Sequence, residues 1–546
     1  MPSGWNWGAF YFGPIWMAFH KMGRWAAVYI LVDCGFAALL HVVENQTLWF
    51  ACFAVWNVAL LVVHVILGLK GNGWAWERRK FRGVEHFRQI ERIWARWVLG
   101  LFIYDVLALG AMTAFFINAI GTRSIPEILH GPRDRAVEVA ALRREGVPVT
   151  PAELNRAVGT TPEQLNAAPY YARLGQELKK VPGLDMPEGY KLMDATPAQQ
   201  AALRRMLADH ADVMALIGQA ARMPRCQFTR RWEDILNMPL PELATMRRAA
   251  RLVQMDSVLK ARQGRFDEAI REQAPGFRLA EHAGSDPTPL SCLTGTACDQ
   301  IALAGMKNIL QIAGPNARVA HLVFVTTANN RPHLEEDRSL WGDVVMDILF
   351  ADQIKADPAS LPTLMGSEHT PPMPGLNRPL VRPVIRHIMD AGLAKTLRID
   401  RLSLQVDPQP DYLQRMALAR QLGVDSDSVE RSISNLGDFT NILPAILDIF
   451  PPGTAWDRDA ERDSNAAVVE AGAAVLAYRA RHGAYPAELA QVPIHTQDPF
   501  TGGPLHYRRQ KDGFIVYSVG KDGKFDGNVT SDVRSALYFQ YPAPGQ

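Results

Sequence analysis

Three long apolar segments lie within the first 120 residues and are separated by short polar stretches. They cover residues 25–43, 48–69 and 97–120, and each is close to the ~20 apolar residues that a membrane-spanning helix needs. An aromatic run at residues 5–17 precedes them and is too short to cross a bilayer. Its Trp and Tyr side chains favour the headgroup layer. The pattern predicts an interfacial segment followed by three transmembrane helices in residues 1–120.

After residue 120 the apolar positions follow a different pattern. Residues 121–196 are rich in Pro, Gly and charge, which predicts a stalk or a loosely packed lead-in with short helices. Residues 197–455 have apolar positions at helical spacing, which predicts packed antiparallel helix pairs. One pair, at residues 249–283 with a turn at Gly264, resembles a single tetratricopeptide-type hairpin, although its period does not recur along the chain.

Residues 456–546 combine one helix with short strands. The Ala-rich stretch 457–482 predicts a helix. Residues 505–509 and 514–519 are typical of two strands around an Asp-Gly turn, which is a hairpin signal. We therefore expect a small α+β module at the C-terminal end of a chain that is otherwise mainly α.

A basic loop between the second and third apolar segments determines the expected orientation. It contains eight Lys and Arg residues against three Glu residues. Lys and Arg are retained on the cytoplasmic side of a membrane, which predicts a cytoplasmic N-terminus and a large periplasmic C-terminal part. The net charge of the whole chain is only +2, and no basic cluster in the distal part favours nucleic acid. The eight basic residues are Lys70, Arg78, Arg79, Lys80, Arg82, Arg88, Arg92 and Arg96.

The aromatic segment near the N-terminus carries a specific motif. Residues 10–22 read FYFGPIWMAFHKM, and apolar segments and a basic loop follow them. This arrangement resembles an uncharacterised family of bacterial membrane domains that opens with F-x-F-G-P-x-W-x-x-x-x-K-M. The resemblance covers roughly residues 3–115. It implies a membrane location and implies no activity. Together with the orientation given by the basic loop, the expected location is the bacterial inner membrane.

Three motifs follow one another in the C-terminal module. They are G-A-Y-P at 483–486, D-P-F-T-G-G-P at 498–504 and Y-S-V-G-K-D-G at 517–523. Their order resembles the globular region of type II secretion major pseudopilins over about residues 460–530. The chain departs from that family because the apolar N-terminal pilin helix is missing before the module. The resemblance implies a small α+β module, linked to secretion or envelope assembly.

Major pseudopilins hold calcium in the loop after the last of these motifs. The corresponding loop here offers Asp522, Asp526, Asn528 and Asp532. Hard oxygen ligands suit calcium, and weak calcium sites are typical of extracellular modules. The spacing departs from the EF-hand rule, so a solvated turn held by side-chain-to-backbone hydrogen bonds is the alternative. Calcium is the one cofactor that the sequence suggests.

Four polar residues lie inside the predicted transmembrane helices: Asp33, Asn57, His64 and Asp105. An ionisable group inside a bilayer is costly and is a functional candidate. The favoured interpretation is that these residues hydrogen-bond across helices and hold the bundle together. The alternative is a proton relay in a sensor or channel accessory, for which three helices are few.

The cysteines indicate little chemistry. No C-x-x-C motif occurs, which argues against a zinc ribbon, a thioredoxin-type site and a c-type haem. In an oxidising compartment Cys292 and Cys298 would close a short disulfide loop. Pairing of Cys226 with either of them is the competing option.

The region 326–369 offers candidate metal ligands: His333, Glu335, Glu336 and His369. Their spacing matches no motif with a known mechanism, and the acids fit the first turn of a helix. We therefore assign no catalytic residue. The alternative function is a metal-dependent hydrolase that acts on envelope polymers through this region.

The favoured function is that of a membrane-anchored envelope protein that is not an enzyme. It would present an extracytoplasmic helical scaffold for protein interaction. The expected partners are the lipid bilayer and envelope proteins. The expected domains are a membrane domain at 1–120, a lead-in at 121–196, a helical domain at 197–455 and the pseudopilin-like module at 456–546.

Overall fold

A computed structural model of the chain divides into two compact units, Met1–Thr122 and Arg123–Gln546. The described residues form 18 helices and three short strands, which confirms the mainly α fold class. The boundary lies close to the one expected at residue 120. The described residues are 4–40, 46–180, 192–334, 336–364, 373–379, 381–434, 439–441, 443–444, 452–494, 497–524 and 537–543.

The first unit contains helices at all three predicted apolar segments. Among the described residues, one stretch is long and apolar enough to cross a membrane, the 24 residues Val55–Arg78. The segments 25–43 and 97–120 lie partly outside the described side chains. A domain of three membrane helices is therefore not confirmed. The helices that begin in this unit are α1 (Trp7–Phe19), α2 (Gly23–Leu40), α3 (Gln46–Arg78) and α4 (Val84–Arg144).

The aromatic motif forms α1, which packs against α2 and α3. Gly13 has a φ of 37°, in the left-handed region that favours glycine, and Pro14 follows it, so α1 is kinked here. A Cβ atom at Gly71 of α3 would lie 2.8 Å from the Cβ atom of Ala9. Ala9 and Trp16 are fully buried. The motif therefore supplies a close-packed helix–helix contact as well as aromatic surface.

In the second unit, several helices begin with the same capping arrangement. The hydroxyls of Thr150, Thr196 and Thr288 each accept a hydrogen bond from the backbone three residues later, and a proline follows each threonine. The helices after α4 are α5 (Pro151–Val158), α6 (Ala168–Leu178), α7 (Pro197–Asp209), α8 (Ala211–Ala221), α9 (Pro241–Ala261), α10 (Phe266–Ala283), α11 (Pro289–Ala313), α12 (Ala317–Asn329), α13 (Glu336–Ala356), α14 (Leu361–Leu364), α15 (Arg382–Val406), α16 (Tyr412–Leu422), α17 (Ser426–Ile433) and α18 (Pro452–His482).

The centre of the second unit is a bundle of α9, α10 and α11, in which each helix packs against the other two. The predicted hairpin of α9 and α10 is confirmed, with Gly264 at a φ of 78° in the turn. Among the described residues of the predicted lead-in at 121–196, the packing is closer than a loose stalk would give. Leu154 of α5 and Tyr171 of α6 are fully buried. Tyr171 belongs to the core that contains residues of α9 and α10. Its ring can be buried there because its hydroxyl is hydrogen-bonded to His282.

The C-terminal strands form a three-stranded antiparallel sheet, in the order β1 (His506–Arg509), β2 (Phe514–Tyr517) and β3 (Tyr538–Tyr541). The first two are the predicted hairpin, and β3 was not predicted. Helix α18 packs against β2 and β3, and also against α11 and α12. One hydrophobic core contains Leu303 of α11, Val468 of α18 and Phe539 of β3. The C-terminal residues are thus continuous with the helical core and are not a separate module.

The D-P-F motif has a structural role beside this sheet. Asp498 is fully buried. Its carboxylate accepts hydrogen bonds from the Phe500 amide at 3.0 Å, the Ser518 hydroxyl at 2.9 Å and the Val519 amide at 3.0 Å. Ser518 and Val519 follow β2 directly. The carboxylate therefore ties the loop before β1 to the end of β2.

Candidate functional site

The second unit contains a polar cleft with a volume of about 350 Å³. Loops that follow α5, α8, α10 and α12 form its walls. Loops at the ends of packed helices are common positions for binding residues. The lining residues are Val158, Thr161, Pro224, Arg225, Cys226, Gln227, Glu281, His282, Gly284, Ser285, Asp286, His333 and Arg338.

One wall of the cleft is held by two amide side chains. Asn166 donates to the Gln227 carbonyl at 2.8 Å and accepts from the Gln227 amide at 2.9 Å. The Gln227 side chain donates in turn to the Gly159 carbonyl at 2.6 Å and accepts from the Thr161 amide. These reciprocal bonds fasten the loop after α5 to the loop after α8, so this wall is a preformed surface.

The floor of the cleft contains a buried ionic group. Arg230 pairs with both Asp286 and Glu242, and all three side chains are at least nine-tenths buried. Burial raises the pKa of Asp286, and the Arg230 charge opposes that rise. The guanidinium also lies 4.9 Å from the centre of the Phe228 ring. Since removal of one partner would leave an uncompensated buried charge, the group holds the loop before α9 against the end of α10.

Cys226 and His282 both line the cleft but are not prepared for nucleophilic catalysis. Burial raises the pKa of the Cys226 thiol well above its ordinary value. Burial lowers the pKa of His282 to about 4. The imidazole is held between the Tyr171 hydroxyl at 2.9 Å and the Met223 carbonyl at 3.1 Å. At neutral pH the pair is a thiol and a neutral imidazole, whereas an activated cysteine is a thiolate.

The candidate metal ligands at 326–369 are only partly described. His333 is exposed at the rim of the cleft. Glu335, His369 and the side chain of Glu336 lie outside the described residues. Within the described part of the chain, no group of three or more His, Cys, Asp or Glu side chains is placed to hold a metal ion. The hydrolase alternative stays a prediction.

The polar residues of the first unit contact other helices. The Trp56 indole donates to Asp33 at 3.0 Å. The His64 ring bonds to the Tyr29 hydroxyl at 2.8 Å and to the Phe10 carbonyl. These bonds join α1, α2 and α3, as the packing interpretation expects. Asn57 is also engaged in a contact, and the side chain of Asp105 lies outside the described residues. No contact joins Asp33 to His64 directly among those described, and the proton relay stays a prediction.

The predicted disulfide is not formed, since Cys226, Cys292 and Cys298 are not disulfide-bonded in the structure. Cys292 and Cys298 lie six residues apart on α11, so their Cα atoms are separated by about 9 Å along the helix axis. A disulfide needs Cα atoms within about 7 Å. The spacing in the sequence suggested a disulfide that closes a short loop. The helix excludes this disulfide because it holds the two Cα atoms too far apart.

Of the proposed calcium ligands, Asp522 is exposed in the turn after β2. Asp526, Asn528 and Asp532 lie outside the described residues. The calcium site stays a prediction. The cleft itself was missed, because its walls come from four distant parts of the sequence and no single motif marks them.

Comparison with known proteins bears on the first unit alone. Residues 1–80 match a family that is described as a protein of unknown function, DUF2628. This match agrees with the uncharacterised family that the F-x-F-G-P-x-W motif indicated. Comparison with curated proteins and with solved structures gives no match.

Proposed function

We propose that this chain is a multi-pass protein of the bacterial inner membrane whose second unit is a periplasmic interaction scaffold. Helices α2 and α3 and the first half of α4 would cross the membrane, with the N-terminus in the cytoplasm. The cleft in the second unit would bind a segment of an envelope protein.

The observation that carries the membrane location is the exposed apolar surface of α2 and α3. Leu31 is 72% exposed and Val55 is 70% exposed. Soluble proteins rarely expose large contiguous apolar patches, and a bilayer is a solvent in which such surface is stable. The basic segment begins at Lys70 within the last turns of α3, and it supports a cytoplasmic position for that end of the helix. Further exposed residues on these helices are Val28, Ile30, Val32, Val58, Leu61, Val62, Ile66 and Leu69.

The form of the cleft supports the scaffold role. Its buried walls are fixed by the Asn166–Gln227 bonds and the Arg230 ion group, while Arg225 and His333 are exposed at the rim. A fixed polar surface with exposed charged side chains around it suits a polar peptide segment, since the walls themselves need little ordering on binding. The long helix α18 against an antiparallel sheet supports the narrower proposal of a pseudopilin-like role in secretion or envelope assembly.

Site-specific photocrosslinking in cells tests the scaffold. A crosslinking amino acid at Arg225 would be compared with one at Lys511, which is exposed in the turn between β1 and β2. We expect a discrete crosslinked envelope protein from Arg225 and none from Lys511. Equal products from both positions, or none from Arg225 in membrane-inserted protein, would contradict a partner in the cleft.

A further inference from the structure

The first unit contains a second cavity of different character, an apolar groove of about 450 Å³ between α2 and α3. The buried side chains of Met17, near the end of α1, and Met22, in the turn before α2, close part of it. Methionine adapts its shape to flexible apolar ligands. Arg78 is the one charged residue among those that line the groove. The groove therefore combines a long apolar wall with a single cation.

The length of the groove corresponds to one leaflet of a bilayer. Its α3 wall runs from Val63 through Leu67 and Trp74 to Arg78. Fifteen residues of α-helix separate the ends, which is about 22 Å. One leaflet, from the midplane to the outside of the headgroups, is about 20–22 Å thick. A lipid chain whose headgroup lies at Arg78 would thus have room along this wall for about the depth of one leaflet.

The residues at the Arg78 end suit the headgroup layer. Trp25 is 61% exposed, and Trp74, which also lines the groove, is 36% exposed. Indole rings prefer the interface between hydrocarbon and water. Arg78 is exposed and has no ion pair among the described residues. Its neighbour Arg79 is already engaged, because its guanidinium lies 4.4 Å from the centre of the Phe19 ring and donates to the Phe19 carbonyl.

We propose that this groove is a binding site for one anionic phospholipid. An acyl chain would lie between Val28 and Ile66, and the phosphate would contact Arg78. Guanidinium groups bind phosphate oxygens with two parallel hydrogen bonds. The proposal rests on the membrane location of the first unit that is proposed above. It adds a defined site and a headgroup preference, which membrane insertion alone does not require.

The test is native mass spectrometry of the full chain released from vesicles with equal amounts of phosphatidylglycerol and phosphatidylcholine. We expect retained phosphatidylglycerol on the unmodified chain. Arg78→Gln should reduce the retained ratio of phosphatidylglycerol to phosphatidylcholine by about fivefold, the usual effect of one basic residue at an anionic surface. Arg82→Gln is the matched control, because Arg82 is an exposed residue of the same basic loop outside the groove.

A second variant tests the apolar part. Ile66→Trp should fill the groove and reduce retention of both lipids, whereas Leu61→Trp, at an exposed position of α3 outside the groove, should not. Equal ratios for Arg78→Gln and Arg82→Gln would overturn the headgroup contact. Equal retention by Ile66→Trp and Leu61→Trp would overturn the chain site. Alkaline carbonate extraction of membranes tests the proposed membrane location separately from the lipid site. Release of the unmodified chain by carbonate would refute the membrane location itself.

Discussion

Removal of the Asp498 carboxylate tests most directly how the C-terminal sheet is held. In Asp498→Ala the Phe500 amide, the Ser518 hydroxyl and the Val519 amide lose their acceptor. A buried donor without a partner costs about 1–3 kcal/mol. Three such donors give about 3 kcal/mol at the lower end of that range. The loss is local, because the carboxylate joins only the loop before β1 to the end of β2.

Hydrogen exchange measured by mass spectrometry resolves this local effect. A loss of about 3 kcal/mol in opening free energy should speed exchange in the peptide that covers 514–519 by about a hundredfold. Asp512→Ala is the control, because Asp512 is exposed in the adjacent turn between β1 and β2. It removes the same charge without a buried hydrogen bond.

Three results would refute this reasoning. Exchange at 514–519 that stays within a few-fold of the unmodified chain in Asp498→Ala would mean that the carboxylate does not hold the sheet. An equal increase in Asp512→Ala would mean that net charge is responsible. A uniform increase over α9 and α10 as well would indicate global destabilisation.

Three further predictions concern the second unit. The pKa of His282 is about 4, against 6.5 in an unfolded chain, so the neutral buried ring stabilises the fold fully above pH 6.5 and this stabilisation is lost as pH falls towards 4. Urea unfolding should therefore show a loss of about 2 kcal/mol at pH 5, and His282→Gln should remove that loss. The comparison with His282→Gln also separates the effect of His282 from that of Asp299, because burial raises the pKa of Asp299 to about 7 and its titration changes stability in the opposite direction. Gly342→Ala should lower the melting temperature, because the new Cβ atom would lie 1.8 Å from the Pro287 carbonyl oxygen. Gly218→Ala is its control and should change stability by less than about 1 kcal/mol, because the new Cβ atom would meet only the Arg222 side chain at 4.0 Å. If the loop after β2 binds calcium, the full chain should be more stable in millimolar calcium than in chelator by about 1.4 kcal/mol at tenfold saturation, and Asp526→Ala should abolish the difference.

Much of the helical organisation was accessible from the sequence because it depends on local patterns. Gly264 predicted the turn between α9 and α10, and the Thr150-Pro151 pair at the start of α5 is a helix-start pattern of the same local kind. The apolar period of residues 457–482 likewise predicted most of α18. Caps, turns and hydrophobic spacing act within a few residues, so a single sequence contains them.

The features that were missed depend on contacts between distant residues. Strand β3 is held at its outer side by Lys307 and Gln311 of α11, which donate to the carbonyls of Tyr538 and Gln540 at 2.7 Å and 2.9 Å. Helix α11 thus covers a strand edge that follows it by more than 220 residues. The lead-in was misjudged for the same reason, since Tyr171 finds its partner in His282. No local pattern encodes such pairings.

The central claim is that the second unit lies outside the cytoplasm on a membrane anchor. Alkaline phosphatase, which is active only outside the cytoplasm, can be fused after Lys80 or after Gln546 in the full chain. The account predicts activity for the fusion at Gln546 and none for the fusion at Lys80. Activity at Lys80 together with inactivity at Gln546 would contradict the orientation, the periplasmic scaffold and the position of Arg78 at the cytoplasmic headgroups.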